Sequence, residues 1–544
     1  MTPAVAVMSQ AGDDLFISPL VGTLPEMKML GATWDSKRSA WKLAACLMNA
    51  AATQELLMDV DIDPSVTVDD YASFVVPGKD ERLFDYQRSA VDRIVGAKRG
   101  LMLVASPGLG KTAMAVSAAE HVIGDDQVVI VAPAPLLRTW QREIRTWARG
   151  DASAAIIHGR MKDTDWESVR SARWLITSWD IVARHQDWFA GKWPLWIFDE
   201  SVLAKTRSSQ RSLAISGGRK KAKVKPDGTV VQGKKWENLR KSIDRVWLLS
   251  GSPTTRHADD LWKQLSIIFP RAFRSYWRFA ERYCTVEETA WAKVVTGTRR
   301  DRDALADNAD LILVINQEDV LDLPEYLFEA IDVDLTPKQQ RAYEDMEKQF
   351  IAELDSGDML TANYRMDQLI YLQQIASYWE GESSKHDALI DMLTGGAYET
   401  PMLVWTHWRE GGDALAKRIA KVTTVGHVWG GMSSADKDKV IEDYKAGAIE
   451  VLVMSMGVGK FGHTLTNTKT VVYVDKTWLA DDYFQSLRRV RRIGLKHRPV
   501  VVTIRAPHTV DRLIEMNLEG KLTSISKITN ASLKELLSGL GQAA

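Results

Sequence analysis

Two short runs of residues have types and spacings that could do chemistry. The first is Gly108-Leu109-Gly110-Lys111-Thr112, preceded by Ser106 and Pro107. Glycines let backbone amides curl around phosphate oxygens, and a helix starting there adds its positive end. Lys111 suits the β- and γ-phosphates of a nucleoside triphosphate, and the Thr112 hydroxyl suits Mg²⁺. The full phosphate-loop pattern wants a glycine in the area where Ala105 and Ser106 stand, but the core from Gly108 to Thr112 is intact. The bland alternative is a glycine-rich turn with an incidental lysine. An apolar run before the turn and a helical pattern after it weigh against that. The second run is Asp199-Glu200, which closes the apolar stretch 193–198. Open α/β sheets bind ligands at the C-terminal ends of their strands. There Asp199 would hold Mg²⁺, directly or through water, and Glu200 would orient and deprotonate an attacking water. Such a pair is weak evidence alone and strong evidence downstream of a phosphate loop. The ligands expected are ATP and Mg²⁺. Pro107, Gly108, Leu109, Gly110, Lys111 and Thr112 would line the nucleotide, and Thr112 and Asp199 would bind the metal.

These residues need a frame. Short apolar runs at 101–105, 128–132, 174–177, 195–198 and 246–249 alternate with helical patterns, as expected of α/β units around buried parallel strands. A second series follows at 402–405, 451–454, 470–474 and 500–504. About 150 residues separate the two series, too many for a simple loop. That stretch is helical in pattern, most clearly at 337–354 and 362–378. The two series imply two similar α/β lobes.

Bulk properties bound the remaining choices. A chain of 544 residues exceeds one hydrophobic core, and roughly three or four domains are expected. The formal net charge is -1, so any nucleic-acid contact must come from local basic patches. The two cysteines, Cys46 and Cys284, form neither a metal cluster nor a disulfide framework. The N-terminus lacks the basic and apolar regions of a secretion signal. No apolar run approaches the roughly 20 residues of a membrane span. A cytoplasmic protein with no membrane association is expected, in a bacterial cell or a phage-infected host. The 20 tryptophans are scattered, and packing is their default role.

With these residues in view, the chain resembles Swi/Snf-type ATPases of helicase superfamily two, from about residue 83 to 516. Leu83-Phe84-Asp85-Tyr86-Gln87 resembles the Q motif, in which Gln87 would read the adenine edge. The segment 132–143, with Pro133, Arg138 and Trp140, resembles the Ia segment that lies along a DNA strand. The segment with Thr177 resembles the next strand contact. Asp199-Glu200-Ser201-Val202 resembles the DEAH box, and Ser250-Gly251-Ser252-Pro253 resembles motif III. Asp319 to Pro324 resembles the stretch that precedes the second lobe. Residues 402–407 resemble motif IV. Ser455 to Leu465, with Gly459 and Lys460, resembles motif V. Gln485 to Gly494 resembles motif VI. The resemblance implies two RecA-like P-loop lobes with parallel sheets, with ATP bound between them. It also implies that Arg489 and Arg492 reach the γ-phosphate, and that Gly459 contributes to the nucleotide site. Pro133, Arg138, Trp140, Thr177, Ser250, Ser455 and Lys460 would meet DNA.

Three departures stand out. Val202 replaces the histidine that couples ATP state to neighbouring motifs, so coupling must use other groups. Ser250 and Ser252 replace threonines but keep hydroxyls. Lys460 replaces a glycine. None removes a residue needed for hydrolysis.

Two further segments carry basic residues. Residues 27–43, with Trp34, Asp35, Lys37, Arg38 and Trp41, resemble the HARP domain of annealing helicases. Basic side chains and aromatics suit phosphate and unstacked bases, and a small module with both tryptophans in its own core fits equally well. Residues 217–235 hold Arg219, Lys220, Lys221, Lys223, Lys225, Lys234 and Lys235 around Pro226-Asp227-Gly228. The turn signal predicts a basic hairpin, in which Lys220 and Lys221 would ride on a DNA backbone; a solvated loop is the alternative. The expected plan is a tail at 1–14, a small α+β domain at 15–75 and a first lobe at 76–270. A helical insertion and linker at 271–385, a second lobe at 386–520 and a tail at 521–544 follow. The expected activity is an ATP-driven translocase on double-stranded or branched DNA, acting as a monomer, with a replication or repair protein as partner. Fork remodelling and strand annealing both suit such a motor. A strand-separating DNA or RNA helicase, or the motor of a restriction or defence complex, is the rival. A non-hydrolysing scaffold is disfavoured by Lys111, Glu200 and the two arginines.

Overall fold

Apolar runs form buried strands here because helices cover both faces of each parallel sheet. The computed structural model describes residues 80–159, 164–220, 233–289, 292–355, 362–458 and 463–519. It also describes 6–11, 13–18, 32–46, 48–50 and 60–62, and the short pieces 27, 30, 53, 223–224, 230–231, 533–534 and 536–537. The chain divides into two units, Met1–Val320 and Leu321–Ala544.

The first unit is built on a parallel sheet of seven strands. From edge to edge they are Ile312–Ile315, Gly100–Ala105, Ile243–Ser250, Trp193–Asp199, Val128–Ala132, Trp174–Ser178 and Ala154–Ile156. Each expected run lies within a strand. Two strands were not foreseen, Ala154–Ile156 and Ile312–Ile315. The second extends the lobe past residue 270: its carbonyls at Leu311 and Ile315 accept from the Met102 and Ser106 amides at 2.8 and 3.1 Å. Nor is the segment after 270 purely helical. Cys284–Glu288 and Lys293–Thr298 pair as an antiparallel hairpin.

The N-terminal block is a five-stranded sheet in the order Thr33–Asp35, Ala40–Ala44, Asp14–Ser18, Ala6–Ala11, Val60–Ile62. Ala6–Ala11 pairs antiparallel with Asp14–Ser18, so part of the expected 1–14 tail is a strand. Ala44, Cys46 and Met48 pack into the first-lobe core, and Arg278 donates to Asn49 Oδ1 at 3.0 Å. The basic segment is a hairpin at its described positions. Gly218–Arg219 pairs with Lys235–Trp236, and Lys223–Val224 with Val230–Val231.

The second unit carries a six-stranded parallel sheet. Its order is Leu327–Asp332, Val500–Arg505, Thr470–Tyr473, Met402–Thr406, Val451–Ser455, Val425–Val428. Alternation within the central strands shows why they lie inside. Leu403 and Trp405 enter one apolar cluster, while Met402 and Val404 enter the cluster on the other face. Helices Pro337–Asp355, Ala362–Ser377 and Val510–Leu518 pack together through Tyr343, Phe350, Leu369, Leu372 and Leu513. The expected insertion therefore splits: residues to Val320 belong with the first unit, and those from Leu321 belong with the second. The expected C-terminal tail lies largely outside the described residues, but Leu533 and Leu537 are buried in the same helical cluster. Among the described residues no helix is long and apolar enough to cross a membrane.

One buried ion pair ties this unit together. Lys385 donates to the Val474 carbonyl and pairs with Asp511 at 2.6 Å, and Asp511 also accepts from the Ala506 amide. Removing one partner leaves an uncompensated charge in the interior. Lys385→Met is expected to destabilise the second unit by about 3–5 kcal/mol. Hydrogen exchange of the Thr470–Tyr473 amides would show this as lost protection, and Lys385→Met with Asp511→Leu should restore most of it.

Candidate active site

The phosphate loop is shaped by what stands behind it. Gly100–Ala105 is buried throughout and leads into a turn that enters helix Lys111–Ala119. Gly110 has φ +79°, and a Cβ there would lie 2.4 Å from Gln87 Nε2, so only glycine fits. Gln87 is itself buried. Its Nε2 donates to the Leu109 carbonyl at 3.0 Å and its Oε1 accepts the Phe84 amide at 2.9 Å. The Tyr86 hydroxyl donates to the same Leu109 carbonyl at 3.1 Å. Gln87 thus buttresses the loop, and contact with an adenine edge would require exchanging one of these bonds. The exposed Phe84 ring stacks on Tyr86, with centroids 6.0 Å apart. Ser106 is held by the strand beyond it, through Ile315 and the Gln317 amide. Lys111 Nζ donates to the Ala105 carbonyl at 2.8 Å, and Thr112 follows in the first helical turn.

Strand Trp193–Asp199 delivers the carboxylates beside this loop. Asp199 is buried, and three chain donors surround it. Trp140 Nε1 donates to Oδ2 at 2.9 Å, the Glu200 amide donates to Oδ1 at 3.0 Å, and Trp179 Nε1 donates to the Asp199 carbonyl at 2.9 Å. Burial pushes the Asp199 carboxyl above its ordinary range, against the Trp140 bond and the Lys111 charge, which pull it down. Glu200 has φ +48° and ψ +54°, a left-handed conformation costing a non-glycine residue about 1–3 kcal/mol and found disproportionately at functional sites. The loop after strand Ile243–Ser250 closes against the phosphate loop. A Cβ on Gly251 would sit 3.3 Å from Pro107 and 3.7 Å from Lys111 Nζ.

These residues are suited to a triphosphate and its metal. The loop turns tightly enough to bare its amides, a lysine stands within it, and a carboxylate is oriented beside that lysine. Among the described residues no group of three or more His, Cys, Asp and Glu could cage a metal. Mg²⁺ usually binds through one or two protein groups plus substrate phosphates, the role open to Thr112 and Asp199.

Three residues expected at DNA have side chains that do not face outward. Trp140 is 1% exposed and spends its indole on Asp199. Thr177 is 0% exposed and its hydroxyl donates to the Ile157 carbonyl. Ser250 is 0% exposed and accepts from the Ser252 amide. All three side chains lie inside the lobe because their strands and helix are covered. Arg138 is exposed, while Pro133, Ser455 and Lys220 are half-buried. Gly459, Lys460 and Lys221 lie outside the described residues. At the base of the basic hairpin, Trp236 and Lys234 donate to the Ala183 carbonyl. Lys234 also donates to the Arg184 carbonyl at the end of helix Trp179–Arg184. The two N-terminal tryptophans divide their roles: Trp41 is core, and Trp34 is 51% exposed, edge-on to it at 5.4 Å. Asp35 Oδ1 accepts the Lys37 and Arg38 amides and so sets the turn.

In the second unit, Arg489 and Arg492 are both buried. Arg492 donates to the Arg488 carbonyl at 2.9 Å and to Thr464 Oγ1 at 2.7 Å. Burial, together with the Arg489 charge, pushes Arg492 well below the ordinary guanidinium range. The Arg489 carbonyl accepts the Leu465 amide. Arg491, in the same motif, serves as a strut. It donates to the carbonyls of Pro324 and Leu323, each at 3.2 Å, and its amide donates to the Tyr326 hydroxyl. Trp179 and Tyr326 escaped recognition, and Trp140 was expected at DNA and not at Asp199, because a buried aromatic with a polar edge looks in sequence like any core aromatic.

The family model described as "SNF2-related domain" matches residues 86–378, and "Helicase conserved C-terminal domain" matches residues 384–494. The chain is 24% identical over 426 residues to the frog (Xenopus tropicalis) "SWI/SNF-related matrix-associated actin-dependent regulator of chromatin subfamily A-like protein 1", covering 76% of this chain and 41% of that protein. It is 24% identical over 475 residues to the Bacillus subtilis "Putative ATP-dependent helicase/translocase YwqA", covering 80% of this chain and 48% of the relative. The chain thus spans less than half the length of either relative. The solved "Sulfolobus solfataricus SWI2/SNF2 ATPase core in complex with dsDNA" aligns with TM-score 0.38 at 19% identity, covering 85% of this chain and 95% of that one.

Trp140 offers a test of the carboxylate's surroundings. Outer-shell partners of a metal ligand typically contribute about 10–100-fold in metal affinity. Trp140→Phe keeps the ring and removes the donor. It should raise the Mg²⁺ concentration for half-maximal ATP hydrolysis about tenfold, measured by phosphate release across a Mg²⁺ titration.

Proposed function

We propose, from the premise that this chain belongs to the SNF2-related domain family and is an ATP-hydrolysing motor of helicase superfamily two, that it uses hydrolysis to move along double-stranded DNA. The observation that carries the chemical half is the buried Asp199 carboxylate, held by the Trp140 indole and the Glu200 amide, on a backbone anchored by Trp179, beside Lys111 and followed by the strained Glu200.

In this reading the Gly108–Gly110 backbone and Lys111 bind the phosphates. Thr112 and Asp199 hold Mg²⁺, which when bound supplies charge neutralisation at the phosphates. Glu200 orients the attacking water and accepts its proton. Arg489 and Arg492 serve the same γ-phosphate, the kind of contribution an arginine finger makes, worth about 10³–10⁵ in rate. Thr464 and the Arg488 carbonyl hold Arg492 in place for that task. ATP binding and release then cycle the motor between conformations, and that cycle drives translocation.

The DNA half rests on family membership and on the name helicase/translocase carried by the Bacillus relative. Arg138 supplies an exposed cation for a strand, the basic hairpin a backbone contact, and the exposed Trp34 beside Lys37 and Arg38 a stacking platform. On this reading the N-terminal block acts as a HARP-like module, and rewinding or fork remodelling is the task suited to it. Double-stranded or branched DNA is the partner, and the chain acts as a monomer in the cytoplasm of a bacterium or an infected host.

Phosphate release with and without duplex DNA tests the reading. Duplex should stimulate turnover, and an unstimulated rate would count against a DNA motor. Lys111→Ala and Glu200→Gln should each reduce turnover to background. Displacement of a triplex third strand without unwinding of a forked duplex would separate a translocase from a strand-separating helicase.

A further inference from the structure

The histidine that would follow Glu200 by two positions is absent, and the Val202 side chain has no polar atom with which to report on a neighbour. Its neighbour Ser201 does. Ser201 is 0% exposed, and its hydroxyl donates to Gln264 Oε1 at 2.7 Å. Gln264 is also 0% exposed, inside helix Asp260–Ile268. Its Nε2 donates to the Pro253 carbonyl at 2.7 Å and to the Asp260 carbonyl at 3.0 Å. Pro253 closes the loop whose Gly251 lies against Pro107 and Lys111. An unbroken chain of covalent and hydrogen bonds therefore runs from Glu200 through Ser201 and Gln264 to the loop that touches the phosphate-binding lysine.

A second strap runs outside the first. Lys205 donates to the Thr255 hydroxyl and lies 3.6 Å from Asp260, and Asp260 accepts the Thr255 and Arg256 amides. Segment 201–205 is thus fastened twice to residues 253–260.

We infer that Gln264 is a positioning residue for hydrolysis, which sets Glu200 and the Ser250–Pro253 loop in register through Ser201. The inference rests on the assignment of Glu200 above. Close-packed interiors do not deform continuously, and Glu200 is held in a strained conformation with Ser201 as its direct neighbour. A shift of Glu200 must carry Ser201 with it, and Gln264 ties that shift to Pro253. An apolar residue at 264 would strand the Ser201 hydroxyl and the Pro253 carbonyl without their partner.

The phosphate-binding groups are untouched by such a change, so the signature is a loss of turnover at constant ATP affinity. Gln264→Leu is expected to lower kcat about tenfold or more, as small misplacements of reacting groups do, with KM for ATP within about twofold. Ser201→Ala combined with Gln264→Leu makes the contact apolar on both sides. This double variant removes the stranded hydroxyl but not the unpartnered Pro253 carbonyl, so it should regain part of the lost thermal stability while kcat stays low. The double variant also carries the test if Gln264→Leu alone fails to fold. Parent-like kcat in the folded single variant, or in the double variant, would overturn the inference, because a packing role recovers stability and turnover together. Glu200→Gln separates the two layers. If it is inactive while the double variant turns over normally, the relay fails and the assignment of Glu200 stands. If it is fully active, the assignment fails and the relay loses its target.

Discussion

A carboxylate buried as deeply as Asp199 must be solvated by the protein, because water no longer does it. That requirement organises the first lobe. The carboxylate oxygens accept from the Trp140 indole and the next backbone amide, the Trp179 indole holds the Asp199 backbone carbonyl, and Lys111 supplies the nearby positive charge. Trp140 comes from the helix after Val128–Ala132, and Trp179 opens the helix after Trp174–Ser178. Strand Trp193–Asp199 lies next to the first of these strands in the sheet. The order of the strands, not their order in the chain, brings the indoles and the carboxylate together. Trp140 thus combines packing with the orientation of the carboxylate, and Trp179 combines packing with the anchoring of the Asp199 backbone.

The polar frame continues away from the carboxylate. Ser201, Gln264 and Lys205 tie the segment after Glu200 to the loop after the neighbouring strand, and that loop rests on Pro107 and Lys111. Buried polar groups that are fully satisfied make a geometry unique, and half-satisfied ones are costly. The same principle operates in the second unit. Arg492 gives its donors to Thr464 and the Arg488 carbonyl, while Arg491 is spent on Leu323 and Pro324. Arg491 of this motif is a strut, and Arg489 and Arg492 are buried beside it.

Much of this was legible before the structure. The core strands of both sheets were readable because a strand buried on both faces is a nearly continuous apolar run. The strands that were missed are short or peripheral. Ala154–Ile156 is three residues of small and apolar type, and Leu327–Asp332 is an edge strand with exposed side chains. Such segments lack the burial that writes a pattern into sequence. Ile312–Ile315 was missed for another reason: it returns to the first sheet after a long excursion, and no local signal announces where a late strand will pair. DNA contacts were the least legible, because a motif position names a segment and not the side of it that faces out. Trp140, Thr177 and Ser250 lie in the expected segments and point inward.

What the sequence determined by itself was local chemistry: a glycine-rich turn with Lys111 and Thr112, the acidic pair at the end of an apolar strand, and an arginine-rich motif far downstream. Each is a short run in which residue type and spacing suffice, because the groups that act together are neighbours in the chain or one strand and turn apart. Only the tertiary structure decided what supports them. Gln87 became a buttress, Trp140 a carboxylate donor, Arg491 a strut, and Gln264 the partner of Ser201. These pairings join residues tens to hundreds of positions apart, and each depends on which buried polar atom a sheet or helix crossing happens to bring within hydrogen-bonding distance.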